Sequence, residues 1–350
     1  MSWSLSRACL RDGLAIAAVT LLSIMAIAIF CQSRFHEAPF IYVIIERGLS
    51  YSQIAERFTA SGMIRDEFLF LFLGRVFGIE HRAKAGRYRF RPSSNMIDVL
   101  TTLYEGATYR ERVLIRPGRT LEGISQVLRS GASIDSVGFM ALACDSAFVA
   151  GLGIPSTTAE GYLYPETYDI EWQESPQSIV RRMVSNFFKS FDKSLRARAR
   201  QIGMTVNEAV TLASIIEKEA MLDRERPLIS AVFHNRLEIG MRLQADPTVR
   251  YALRKWSGPV LYKDLKVDSP FNTYVVYGLP PRPICNPSLA SLVAAVYPLP
   301  GSDDLYFVAQ GDGSHHFSPN AREHRQAKSR YKQYLKQLDT EKQDAPEANQ

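Results

Sequence analysis

Two stretches, VIIERGLSYSQIA at 43–55 and VLIRPGRTLEGIS at 113–125, decide the fold class. Each opens with a β-branched run, the composition of a strand, and each run ends at a turn containing Gly48 or Gly118. Ser50 and Thr120 then stand where a helix N-cap belongs, ahead of apolar residues at helical spacing. A partial third copy reads Tyr88-Arg89-Phe90-Arg91-Pro92, with Ser94 and a helix around Met96–Leu103 after it. Strand, turn and capped helix recurring in this way predict an α+β chain with a small module near residues 40–150.

Upstream, GLAIAAVTLLSIMAIAIFC at 13–31 is nineteen residues without a charge. At ~1.5 Å per residue such a helix spans roughly the 30 Å apolar core of a bilayer. Arg7 and Arg11 precede it, offset by Asp12, which places the amino terminus (1–12) in the cytoplasm and the rest outside. A cleaved signal peptide is the competing reading. Its apolar run is usually shorter, and Ile29-Phe30-Cys31 is a poor small-x-small cleavage site. A single uncleaved transmembrane helix is therefore expected, with no second run of that length downstream.

The bulk numbers narrow the class without naming a function. Of the 350 residues 46% are hydrophobic and 22% charged, which excludes a disordered or low-complexity chain. The net charge of +6 falls to +5 beyond residue 33, where 40 basic face 35 acidic residues. Charge that diffuse is compatible with nucleic acid, anionic lipid or another anionic polymer and identifies none of them. Four cysteines without a CxxC pair exclude a zinc ribbon or a disulfide scaffold, and whether Cys144 and Cys285 meet is open.

Downstream, TVNEAVTLASIIEKEA at 205–220 opens with the T-x-x-E capping box Thr205/Glu208 and predicts a helix to about Met221. With about 100° per residue, Asn207, Thr211, Ser214 and Lys218 form a polar stripe, with Glu217 and Glu219 on opposite sides of it. Glu217 lines up with Val206, Val210 and Ala213, so it is the acid expected to stand against an apolar wall. Desolvation there would raise its pKa, as a general acid near neutral pH requires. The alternative is an ordinary solvated helix end with i,i+4 charge pairs. A charged helical stretch is expected over 177–200, a strand at Leu305–Ala309, a Gly311-Asp312-Gly313 turn, a basic helix over Ala321–Leu338 and a disordered tail at 339–350. Pro- and aromatic-rich loops between 243 and 300 offer the hydroxyl-binding edges and flat faces that suit sugars. His315, His316 and His324 lack metal-like spacing, and no phosphate loop or G-x-S-x-G elbow occurs.

Taken in order, AEGYLYPETY (159–168), LASIIEKEA (212–220), VFHNRLEIGMRLQADPTVRYAL (232–253), SPFNTY (269–274), GLPPRPICNPS (278–288) and LYFVAQGDGSHHFS (305–318) resemble the endolytic murein transglycosylase, or YceG-like, family. His324 falls at that family's trailing histidine, whereas Arg282 and Ser288 stand where it commonly has Gly, and His316 is an extra histidine. The resemblance implies a LysM-like α/β module over 40–150 and a larger α+β catalytic domain over 155–338. It implies a lyase of the inner, cytoplasmic membrane whose periplasmic domain cuts the MurNAc-β-1,4-GlcNAc bond of nascent peptidoglycan strands without water. The products are 1,6-anhydroMurNAc ends, and cutting ends strand elongation. It puts the catalytic acid on Glu217. Glu160, Tyr162, Asn235, Gln244, Asp246, Ser269, Asn272, Thr273, Tyr274 and His315 are the candidate substrate-binding residues, Asp246 being also the one candidate for a second carboxylate. No metal or organic cofactor is expected, and the expected partners are glycan strands, the membrane and peptidoglycan synthases, with no nucleic acid. A membrane-anchored, non-catalytic peptidoglycan-binding scaffold and a hydrolase are the alternatives.

Overall fold

The computed structural model describes residues 38–344 together with Val19, Thr20 and Ser23. The expected cytoplasmic end and, but for those three residues, the expected span at 13–31 lie outside the described residues. Among the described residues no helix is long and apolar enough to cross a membrane. The chain is mixed α+β, with helices alternating with three two-stranded sheets. It divides into two compact units, the first running to Arg112 with Asp169–Gln173, the second holding Val113–Tyr168 and the chain from Glu174 onward. The boundary falls inside the 40–150 stretch read from the repeat.

In the first unit β1 (Ile41–Ile45) pairs antiparallel with β2 (Gly86–Phe90), with Val43 opposite Tyr88. Alternation buries Ile41, Val43 and Ile45 on one face, as a half-buried strand requires. Three capped helices cover that face: α1 (Tyr51–Ala60), α2 (Glu67–Val76) and α3 (Met96–Glu105). Ser50 and Gln53 form a reciprocal capping box on α1. The cap of α3 is Asn95 rather than Ser94, because the Asn95 side chain accepts from both Ile97 and Asp98 N–H. Phe58 sits between Phe70 and Phe90, at centroid distances of 6.0 and 5.6 Å. Each buried ring of this kind contributes about 1.5–3 kcal/mol from burial.

β3 (Arg110–Leu114) pairs with β4 (Thr167–Glu171), and both strands contribute residues to both units. In the second unit α4 (Leu121–Ala132) follows its Thr120 cap, then come α5 (Ser136–Ala143) and α6 (Ser146–Gly151). The charged stretch expected over 177–200 is two helices, α7 (Pro176–Ser190) and α8 (Lys193–Gln201), because Asp192 caps a new start. α9 (Val206–Glu219) is the centre of the unit. Every residue from Ala209 to Ile216 is buried, which marks a helix enclosed on all sides. It packs against α10 (Arg226–Glu238), α11 (Asp246–Ala252) and α12 (Leu289–Val296). A hairpin of β5 (Tyr306–Ala309) and β6 (His315–Ser318) turns through Gly311–Gly313, and α13 (Ala321–Asp344) closes the described chain. Helical backbone thus extends to Asp344, past the point at 339 where the polar composition suggested disorder.

Candidate functional site

Two acids in the last turn of α9 run against the helix dipole, a local cost that marks a place where structure serves something other than stability. Glu217 is 8% exposed at its side chain. Its Oε2 accepts from the Ser288 N–H at 3.0 Å, the Ser288 hydroxyl at 2.6 Å and the Ser291 hydroxyl at 2.7 Å. Arg226 adds an ion pair to the same oxygen at 3.3 Å and donates to the Ser291 hydroxyl at 2.6 Å. No hydrogen bond falls on Oε1 among the described residues. The apolar wall expected beside Glu217 is therefore a wall of donors. Helical spacing within α9 shows only that helix's own faces, whereas these donors come from the starts of α10 and α12. Burial, with Asp246 nearby, pushes the Glu219 carboxyl up to about 8.

The loop of the second repeat copy overhangs this helix end. Gly118 stands within ordinary contact distance of the Glu217 and Lys218 side chains, and its φ of +76° is the left-handed backbone that favours glycine. Lys218 Nζ donates to the Gly118 carbonyl at 3.5 Å. Asn286, wholly buried, pins the same loop. Its Oδ1 accepts from the Gly161 and Leu163 N–H groups, and its Nδ2 donates to the Arg119 carbonyl and to Glu160 Oε1. Glu160 also accepts from Leu121 N–H at the start of α4 and from the Tyr251 hydroxyl. Burial raises its carboxyl to about 8, against the lowering effect of those bonds. Beside Lys218 a groove of about 590 Å³ runs past Arg119, Arg250 and Trp256, and a smaller cavity of about 220 Å³ is lined by Glu160, Ser269, Phe271 and Arg282.

The remaining candidates divide between a second polar cluster and loop supports. Asp246 accepts from the Tyr274 hydroxyl at 2.6 Å, and this pair senses the charges of Glu219 and Arg236. Gln244 is exposed at φ +48°, and its N–H donates to the Thr273 carbonyl. Thr273 and Asn272 have no exposed surface; Thr273 bonds Ala245 and Thr248, and Asn272 holds the carbonyls of Leu265 and Val267. Tyr162 is equally buried and donates to Asn207. Asn235 donates to the Ser302 and Asp304 carbonyls, while His315 Nδ1 meets Glu225 Oε2 at 2.7 Å. Cys144 and Cys285 are both free thiols. Sequence reasoning missed Ser288, Ser291, Arg226 and Asn286 as parts of the site. The S-x-x-S spacing at 288–291 was the one available signal, since it sets two hydroxyls on one face of a helix start.

The model of the YceG-like family matches residues 43–330, a span that holds the helix, the loops and the groove just described. The chain belongs to the YceG-like family. It is 32% identical over 303 residues to the endolytic murein transglycosylase of Bacillus subtilis, covering 82% of this chain and 83% of that protein. It is 29% identical over 320 residues to the endolytic murein transglycosylase of Streptococcus pneumoniae, covering 81% of this chain and 57% of that longer protein. The crystal structure of a putative yceG-like protein from Listeria monocytogenes superposes with a TM-score of 0.58 at 34% identity, over 82% of this chain and 98% of that one. This YceG-like chain therefore shares its fold with that protein over most of its length, and its own EKE string lies at the end of the enclosed α9.

Proposed function

We propose that this YceG-like chain is a peptidoglycan lytic transglycosylase, a lyase, with Glu217 as its acid and base. The observation that carries the reading is the one-sided hold on Glu217: among the described residues, four donor contacts fall on Oε2 and none on Oε1. A carboxyl fixed through one oxygen presents the other in a defined direction, which proton transfer to a bound substrate needs. The relatives named endolytic murein transglycosylase support the same substrate class.

The chemistry needs one carboxyl. Glu217 donates its proton to the glycosidic oxygen as the MurNAc C1–O bond breaks, and N-acetylglucosamine leaves with a free hydroxyl. The carboxylate then takes the proton of the muramyl C6 hydroxyl as that oxygen closes on C1. A 1,6-anhydro end forms, no water is consumed, and Glu217 is returned protonated. The C6 hydroxyl is tethered to the reacting ring, so its effective concentration replaces the second carboxylate that a hydrolase commonly uses. The sequence at 13–31 supports single-pass anchoring in the cytoplasmic membrane with this site in the periplasm, where nascent strands and their synthases are found.

Mass analysis of products from purified uncrosslinked strands tests the reading. Wild type is expected to release anhydro-ended fragments, and Glu217→Gln to release none while keeping its melting temperature. Reducing-end products, one water heavier, would make the chain a hydrolase. Binding without cleavage by wild type would make it a scaffold.

A further inference from the structure

The groove beside Glu217 carries more positive charge than its surroundings neutralise. Arg116, Arg119, Lys218 and Arg250 line it, and none of the four has a carboxylate within ion-pair distance among the described residues. Neighbouring cations are treated differently. Lys255 pairs with Asp264 at 2.7 Å, and Arg254 takes up Glu122, the one acidic residue on the groove wall, at 3.3 Å. The guanidinium of Arg250 donates to the Gly258 carbonyl, which satisfies a hydrogen bond and leaves the charge standing.

Four uncompensated cations around one concavity repel one another, so the arrangement destabilises the free fold unless an anion enters. The cations are also held ready. Gly118 N–H donates to the Asn286 carbonyl at 2.9 Å, and the Arg119 carbonyl accepts both the N–H and the Nδ2 of Asn286, each at 2.9 Å. Backbone fixed in this way loses little entropy when Arg116 and Arg119 take a ligand. Across the groove Trp256 is 53% exposed and meets Tyr251 edge-on at 6.2 Å, a flat apolar face suited to the C–H side of a sugar.

An aromatic face for sugar and a set of cations for an anion, in one groove whose wall holds Gly118 and Lys218 at the acid's end of α9, call for a sugar polymer with anionic branches. The glycan backbone of peptidoglycan is built from neutral sugars, and its peptide stems carry free carboxylates. We propose that this groove binds the carboxylates of the peptide stem, so that the chain cleaves peptide-bearing strands in preference to stripped ones. The proposal rests on the lytic transglycosylase reading and adds the substrate feature that directs it. Arg116 and Arg119 bind the stem and do not touch the reacting bond.

The test uses the full chain in detergent and uncrosslinked, lipid-free strands of one length, in three forms. One carries intact peptides. The second is stripped by an amidase, which leaves one lactyl carboxylate per disaccharide. The third is stripped and its lactyl carboxylate amidated. Wild type is expected to show a kcat/KM about tenfold higher on the peptide-bearing strand than on either stripped strand, carried by KM and abolished by high salt. Arg116→Gln/Arg119→Gln is expected to bring the ratio to within about twofold, and Arg116→Lys/Arg119→Lys to restore most of it. Equal rates of wild type on all three strands, or an undiminished ratio in the Gln pair, would overturn the proposal while leaving the transglycosylase reading intact. A preference for the lactyl carboxylate over the amidated strand, with no added effect of peptide, would overturn the assignment to the stem. Failure of wild type to cleave any strand would remove the function reading and this inference together.

Discussion

The Ser288 hydroxyl donates to Glu217 Oε2 at 2.6 Å while accepting the Ser291 N–H at 3.3 Å, so one side chain caps α12 and holds the acid. The Ser288 N–H reaches the same oxygen independently at 3.0 Å. Ser288→Gly removes the hydroxyl and keeps the amide. A Gly cap costs only a few tenths of a kcal/mol, so the melting temperature should barely move. Losing one hydrogen bond, worth about 1 kcal/mol or more, loosens the acid and should lower kcat several-fold or more with KM little changed. Steady-state kinetics on defined strands decide it, and an unchanged kcat would show that the remaining donors suffice.

Asn286 uses its carbonyl and its amide in four hydrogen bonds, tying the loops at 119, 161–163 and 286 to Glu160 with no exposed surface. Asn286→Ala leaves the Gly161 and Leu163 N–H groups without partners in a buried place, while the Arg119 carbonyl keeps the backbone N–H of residue 286 and Glu160 keeps Leu121 N–H. Each orphaned group costs about 1–3 kcal/mol, so a loss of about 3–5 kcal/mol in urea unfolding is expected. Asn286→Asp should recover little, because it restores the acceptor and sets a carboxylate against Glu160. A loss below about 1 kcal/mol for the Ala variant would mean that water replaces the clamp.

Gly161 lies at φ +88°, and a Cβ there would overlap the ring of Pro283 and press on Val210. Neither the rigid proline nor the enclosed α9 can give way at small cost. Gly161→Ala should therefore destabilise by about 3 kcal/mol or more, combining left-handed backbone strain with a clash. Thermal unfolding checks it, and a variant as stable as wild type would show that the 283 loop is free to move.

The elements of the repeat, α9, β5 and α13 were legible in the sequence because each signal was local, whereas α11 and α12 lie inside the 243–300 stretch read as loops, whose proline and aromatic content hides two short helices. The Ser50 and Thr120 caps, the Thr205/Glu208 box and the Gly311–Gly313 turn all stand where short-range chemistry put them. The end of α8's predecessor was missed, since nothing in 177–200 except Asp192 breaks the helical pattern. The surroundings of Glu217 were illegible for a different reason. Helical periodicity can say which residues share a face of α9, and it is silent on what another helix brings to that face. Ser288, Ser291 and Arg226 arrive from 9 to 74 positions away, so only the tertiary fold makes them neighbours. Arg116 and Arg119 flank the Gly118 turn of the repeat, and only the tertiary fold sets them beside Lys218 and Arg250 in one groove.

Glu160 gives the stability a pH dependence of fixed sign. Burial raises its folded pKa to about 8, while in the unfolded chain a glutamate titrates near about 4.3. Below the lower value both states hold the proton and Glu160 contributes no slope. Between the two values the folded state keeps a proton that the unfolded state has released, so raising the pH across that window lowers stability. Glu160→Gln mimics the protonated acid. Its carbonyl can accept from Leu121 N–H and Asn286, and its amide can donate to the Tyr251 oxygen, on the two sides where Glu160 now makes its bonds. The variant should match wild type near pH 4 and be the more stable by a few kcal/mol at pH 8. Glu219 titrates in both proteins and drops out of the difference. Urea unfolding from pH 4 to 8 measures it: two parallel curves would mean that Glu160 is ionised in the fold, and a wild type that gains on the variant as pH rises would reverse the sign.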